Sequence, residues 1–301
     1  AYLLRVAEPP APALVAFVAA HGPIEAAARV ATGDVPSPVG QETSAHRHHD
    51  LVETDLAAAH RAGARLVVPE DDEWPTQQLM CLQPGAGPRY APPLALWVRG
   101  AARLSEVADR AVSIVGARAA TGYGEHVGAE FGYGLASQGW TVVSGAAFGI
   151  DGAAHRGALA AGGVTVAVLG CGVEVGYPAA HTSLLGRIAE TGLVLSEYSP
   201  GAPPARHRFL ARNRLIAALS AGTVVVETGV RSGSRNTATA AAALGKELMV
   251  VPGPITSAVS AGCHELLRSG TALPVSSVAE ILDTVSTTAA DPVPDGTTAS
   301  A

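Results

Sequence analysis

The spacing of apolar residues divides the chain near position 65. Before it, Leu14, Val15 and Val18 and then Ile24, Ala27 and Ala28 recur at helical intervals, and Gly22-Pro23 breaks the two runs. This predicts a small α-helical N-terminal domain over 1–64, with a loop at 33–41 and a further helix carrying the histidines of 46–49. After residue 65 the texture changes. Short apolar, β-branched runs at 66–68, 94–98, 112–115, 141–143, 164–169, 193–195, 223–226 and 248–251 read as strands. Between them lie helical stripes such as Val127, Phe131 and Leu135, then Leu184, Leu185 and Ile188, then Leu215, Ile216 and Leu219. Strands that are apolar throughout, separated by helices, predict an α/β fold whose parallel sheet is covered on both faces, over 65–285. The residues after Val285 carry no aromatic side chain and many Thr, Ala, Asp and Pro, so 286–301 is expected to be a disordered tail.

Composition narrows the function classes. The 301 residues are 48% hydrophobic and 15% charged, which excludes wholesale disorder. The longest uncharged stretch, 131–150, is interrupted by five glycines and by Ser137, Gln138, Thr141 and Ser144, so no membrane span is expected. Residues 1–12 lack the basic-then-apolar order of a secretory leader, and the three cysteines are far apart; a reduced, cytoplasmic protein is the simplest expectation. The net charge is −6, yet six arginines (206, 208, 212, 214, 231 and 235) face a single acid, Glu227, within 206–235. One face is therefore expected to be locally positive, and local charge decides nucleic-acid binding. The histidines of 46–49 lack partners at ligand spacing and are assigned no metal.

In an open parallel sheet, ligands bind beyond the carboxyl ends of the strands. The glycine-rich turns of this chain fall there: Gly116-Ala117-Arg118, Ser144-Gly145 with Gly149-Ile150-Asp151, Gly170-Cys171-Gly172, and Arg231-Ser232-Gly233-Ser234. Glycine lets backbone approach an anion, and arginine offers a planar fork for phosphate. Asp151 reads equally as a helix cap or as a ligand contact. The spacing of Gly116, Gly122 and Gly124 does not fit G-x-G-x-x-G, and no G-x-x-x-x-G-K-[ST] or G-x-S-x-G occurs. Nicotinamide, P-loop and serine-hydrolase chemistry are accordingly excluded, and neither a catalytic set nor a cofactor is expected.

The run Arg206-His207-Arg208-Phe209-Leu210-Ala211-Arg212-Asn213-Arg214 enters a helix with four arginines and one aromatic. Such a set suits a single strand, whose phosphates meet charge while bases stack on a ring or on guanidinium planes. The alternative is a solvated helix start with Phe209 in the core.

These segments, together with Ala154-His155-Arg156-Gly157, Tyr177-Pro178, Ser196-Glu197-Tyr198 and Pro252-Gly253-Pro254-Ile255, occur in an order that resembles the DNA-processing protein A (DprA/Smf) family. The resemblance covers about 65–285. It implies an extended Rossmann-like, doubly wound domain, a homodimer that binds single-stranded DNA without catalysis and promotes loading of the RecA recombinase in natural transformation and homologous recombination. It implies DNA contacts at Arg118, Arg206, Arg208, Phe209, Arg212, Asn213, Arg214 and Arg231, and at the turns of Ser144, Gly145, Gly149, Ser232, Gly233 and Ser234. The N-terminal domain resembles helix-hairpin-helix or SAM-like modules. One departure stands out: the family commonly has Arg or Lys where this chain has Phe148. The rival reading is a nucleotide-processing enzyme of phosphoribohydrolase type, whose Pro-Gly-Gly-x-Gly-Thr-x-x-Glu signature is absent here.

Overall fold

Five short helices precede the first strand in the computed structural model, which describes residues 1–83, 87–230 and 232–290. They are α1 (Tyr2–Val6), α2 (Pro12–His21), α3 (Pro23–Thr32), α4 (Ser37–Thr43) and α5 (Val52–Arg61). Prolines at the first positions of α2 and α3 carry the φ a helix needs and lack an amide that would go unbonded there. Gly22 between them has a φ of 78°, which turns the chain sharply. The Glu42 carboxylate of α4 accepts from the amides of Ala13 (3.1 Å) and Leu14 (2.8 Å), supplying the open start of α2 with acceptors. Leu14, Phe17, Ala26, Val30 and Val39 close a small core among α1 to α4.

Two expectations for this region need correction. The segment 33–41 is not all loop, because α4 already starts at Ser37 with Pro38 in its first turn. Residues 46–49 do not form a helix. Their amides bond three residues back, His46 to Thr43 and His49 to His46, and the Tyr2 hydroxyl donates to the Arg47 carbonyl at 2.6 Å, taking an acceptor that a helix would use.

The rest of the chain runs β1 (Ala64–Val67), α6 (Thr76–Leu79), β2 (Leu96–Arg99), α7 (Leu104–Asp109), β3 (Ala111–Val115), α8 (Gly122–Ser137), β4 (Thr141–Ser144), α9 (Ile150–Ala160), β5 (Thr165–Leu169), α10 (Thr182–Thr191), β6 (Leu193–Ser196), α11 (Arg206–Ala218), β7 (Gly222–Val225), α12 (Ser234–Ala243), β8 (Glu247–Val250), α13 (Ala261–Arg268), β9 (Leu273–Pro274) and α14 (Val278–Ala290). The helix α14 continues past the Val285 limit read from composition, and 291–301 lies outside the described residues. Among the described residues the strands form one sheet in the order β1-β2-β6-β5-β4-β3-β7-β8-β9. Only the β1–β2 and β2–β6 pairs are antiparallel. This is the mostly parallel, Rossmann-like sheet expected, extended by an antiparallel pair.

Both faces are covered, which explains the uninterrupted apolar strands. On β3, Val112 and Ile114 face Phe131, Leu135 and Ile150 of α8 and α9, whereas Ala111 and Val115 belong to the opposite core with Leu215, Ala238 and Leu104. The helix α11 departs from the single stripe read in its sequence, since every residue from Arg212 to Ala218 is buried. It lies between the sheet, α12 and the segment around Ala91.

Helices α8 and α9 cross closely because glycine faces backbone on each of them. A Cβ at Gly157 would overlap the Ala129 carbonyl, and one at Gly132 would overlap that of Ala154. Gly157→Ala is expected to lower the unfolding free energy by about 1–3 kcal/mol in a chemical melt, because the two helices must separate.

His155 of α9 is fully buried. Thr165 donates its hydroxyl to the Val142 carbonyl (2.6 Å) and so accepts from Nδ1 of His155 (2.7 Å), which leaves Nε2 as a bare acceptor with no partner. Burial, with repulsion from His181, Arg156 and Arg212, lowers its pKa from 6.5 to about 3. Between these values the unfolded chain binds a proton that the fold refuses. Its contribution to stability is therefore complete above about pH 6.5 and falls as pH drops towards 3. Unfolding free energies of wild type and His155→Gln at pH 7 and pH 4.5 check this: the decline should be steeper in the wild type.

Candidate functional site

The chain leaves the centre of the sheet in two directions. From β3 it winds through β4, β5 and β6 to one side, while β7 and β8 lie on the other. The turns after β3 and β7 must therefore diverge, and a cleft opens beyond their carboxyl ends. Its volume is about 660 Å³. Gly116 and Arg118 line it from the turn after β3, and Ala147 and Asp151 from the turn after β4. Arg206, Phe209, Arg212 and Asn213 come from α11, and Ser232, Gly233, Ser234, Asn236 and Thr237 from the start of α12.

Local contacts hold these turns in place. Glu227, buried at the end of β7, accepts from the Thr121 amide (2.9 Å) and hydroxyl (2.6 Å), and its carbonyl accepts from the Ala117 amide (2.7 Å). Thr121 in turn caps α8 by accepting from the Gly124 amide. These bonds fix the turn that carries Arg118. The Asp151 carboxylate accepts from the amides of Gly145 (3.2 Å) and Ala147 (3.4 Å), so it organises the turn before its own helix rather than capping that helix. Burial raises its pKa, opposed by Arg212 and by those amides.

Arg118 and Arg206 are exposed. The Arg118 guanidinium lies 5.4 Å from the centre of the Phe209 ring, and that ring stacks on Tyr177 at 5.2 Å with 22° between planes. Phe209 is half-buried at the cleft rather than in the core. Arg212 lies beneath the same ring at 6.0 Å and is almost wholly buried. Its Nη1 donates to the carbonyls of Gly145 (2.9 Å) and Val168, while Nε has no partner. Burial lowers its pKa to about 10, so it remains a cation at neutral pH. Two guanidinium groups thus lie against the ring of Phe209, and Arg206 lines the same cleft.

Other expected site residues are placed differently. The Ser144 hydroxyl is fully buried and donates to the Ile114 carbonyl at 2.6 Å. Gly149 (φ 71°) packs against the carbonyls of Ala117 and Arg118 and serves the turn. Gly145 lines a small hollow beside the main cleft. Asn213 donates to the Asn236 side chain (3.2 Å) and joins α11 to α12. Arg208 is drawn away by a two-toothed pair with Glu8 (2.6 and 3.0 Å) and by the Pro203 carbonyl. Arg214 turns into the core, where Glu197 holds both its terminal nitrogens at 2.5 and 2.6 Å. Neither arginine lines the cleft. Arg231 lies outside the described residues. Tyr177, Asn236 and Thr237 also line the cleft, although no local pattern marks them as contacts; the last two lie in the first turn of α12, and Tyr177 arrives from a distant loop. Among the described residues no group of three or more His, Cys, Asp or Glu side chains is placed to hold a metal, and no helix is long and apolar enough to cross a membrane.

Comparison with known proteins places this geometry. Residues 65–286 match the model of the family described as DNA recombination-mediator protein A. Over 277 residues the chain is 54% identical to a putative DNA processing protein DprA of Mycobacterium tuberculosis, covering 91% of this chain and 71% of that protein. The X-ray structure of DNA processing protein A from Streptococcus pneumoniae superposes with a TM-score of 0.76 at 31% identity, covering 94% of this chain and 95% of the other. A structure described as giving insights into the single-stranded DNA binding mode of DNA processing protein A from Helicobacter pylori superposes with a TM-score of 0.63 at 28% identity, covering 75% and 96% of the two chains.

Proposed function

This chain belongs to the DNA recombination-mediator protein A family, and on that footing we propose that it binds single-stranded DNA in the cleft beyond β3 and β7 and promotes loading of a RecA-type recombinase onto the bound strand. It does so as a homodimer in homologous recombination, including natural transformation, with no catalytic step of its own. Residues 65–285 form the DNA-binding domain, and 1–64 form a helical module.

The observation that carries this reading is the convergence of Arg118, Arg206 and Arg212 on the one cleft that the stacked Tyr177–Phe209 pair also lines. The exposed guanidinium groups meet phosphates, the aromatic pair meets base faces, and the amides at the start of α12 add donors for a further phosphate, whereas the buried Ser234 hydroxyl is taken up by Thr228 and Ser232 at 2.8 Å each. Arg212, whose Nη1 is taken up by backbone carbonyls, holds the turn after β4 and supplies positive potential from below. The Helicobacter pylori relative, described by its single-stranded DNA binding mode, supports the same ligand. Neither phosphates nor base faces encode sequence, so binding should be nearly sequence-independent.

Fluorescence anisotropy of a labelled single strand, with duplex DNA as competitor, tests the reading. Salt-sensitive binding that duplex competes for poorly is the expected result. Absence of binding, or free base released from nucleoside monophosphates at enzymatic rates, would overturn it.

A further inference from the structure

The turn between β4 and α9 buries every residue from Ser144 to Gly149 wholly or partly except Phe148, which is 47% exposed. The backbone of the turn is held on both sides of the ring. Gly145 and Ala147 are held by Asp151, and the Ala146 carbonyl lies 3.0 Å from Nδ1 of His181. The Gly152 amide donates to the Ala147 carbonyl, and Gly149 is pressed against the carbonyls of Ala117 and Arg118. The Phe148 ring meets His181 at 5.0 Å with planes 60° apart, an edge-to-face contact that fixes its orientation without covering it. It lines the small hollow beside the main cleft together with Tyr177, Phe209, Arg118 and Arg212.

We infer that Phe148 is a base-stacking residue, which receives the face of a nucleobase of the bound strand next to the Tyr177–Phe209 pair. An apolar ring held rigidly at the rim of a cation-lined cleft has no use for a phosphate, and every nucleobase offers it a π face. The exposed guanidinium of Arg118, which lines the same hollow, places a phosphate, so the strand passes with its backbone towards Arg118 and one base turned to Phe148. This rests on the single-strand reading above and adds to it a position where affinity comes from the base rather than from charge.

The test compares oligodeoxythymidylate with an abasic strand of equal length by anisotropy, using wild type, Phe148→Ala, Phe148→Trp and Phe148→Lys, each checked for folding by its melt. Phe148→Ala should lose about tenfold affinity for the base-bearing strand, with an unchanged salt slope and no loss on the abasic strand. Phe148→Trp should restore binding, and Phe148→Lys should steepen the salt slope by about 0.7 while reducing the discrimination between strands to what the Tyr177–Phe209 pair supplies. If wild type binds and Phe148→Ala matches it on both probes, or loses equally on both, the stacking role is overturned while strand binding stands. If wild type binds neither probe, the single-strand reading fails first.

Discussion

Arg214→Ala is expected to lower the free energy of unfolding by about 3–5 kcal/mol in a denaturant melt, the largest stability loss among the arginines of α11. Arg214 and Glu197 are both almost wholly buried and face each other with two short hydrogen bonds. Arg214 Nε also donates to the Ala91 carbonyl at 2.9 Å, tying α11 to the segment before β2. Removing the guanidinium strands a carboxylate away from water and opens a void beneath α11. Glu197→Gln should also destabilise, since it leaves Arg214 as a lone buried cation and sets an amide N–H against one of its donors. The paired change Arg214→Met with Glu197→Leu should recover most of the loss, because no lone charge remains. DNA binding of Arg214→Ala, measured where the variant is still folded, should keep the wild-type salt slope. A shallower slope would instead assign this arginine to the ligand.

The double variant Arg118→Ala, Arg206→Ala is expected to do the opposite: leave the melt within about 0.5 kcal/mol of wild type and remove most of the single-strand affinity. Both side chains are exposed at the cleft, and neither takes part in an ion pair among the described residues. Each phosphate contact on a single strand contributes about 0.7 to the slope of log affinity against log salt, so the loss of two should flatten it by about 1.4. The loss should be similar for every strand sequence, because phosphates carry no code. Unchanged affinity and slope in the folded double variant would remove these two residues from the interface.

These contrasting outcomes show where a linear run misleads. Arg206, Arg208, Arg212 and Arg214 fall within one run of nine residues, and the sequence alone treats them as one basic patch. A helix turn distributes them around its axis. Arg206 reaches the cleft, Arg208 meets Glu8 from the N-terminal segment, Arg212 sinks beneath Phe209, and Arg214 enters the core. The acids that claim two of them, Glu8 and Glu197, lie 200 and 17 residues away in the chain, so no local pattern announces them. Ser144 is a similar case: its hydroxyl looks available at a strand end, but the neighbouring strand supplies the Ile114 carbonyl that takes it up.

The sequence by itself determined the doubly wound α/β class, because strands covered on both faces must be apolar throughout and so leave a plain record. It determined the glycine-rich strand-end turns too, since tight turns and close backbone approach call for glycine, as Gly149 with its φ of 71° shows. Only the tertiary structure decided the order of the strands, the location of the cleft at the divergence of β3 and β7, and the choice of which arginines face it. Strand order and side-chain partnership are long-range properties, settled by which surfaces pack together, and the residues that meet in the cleft come from segments that local spacing does not connect. Phe148 belongs to both sides of this division: its identity is visible in the chain, but its exposure beside two guanidinium groups and two aromatic rings exists only once the turn has folded.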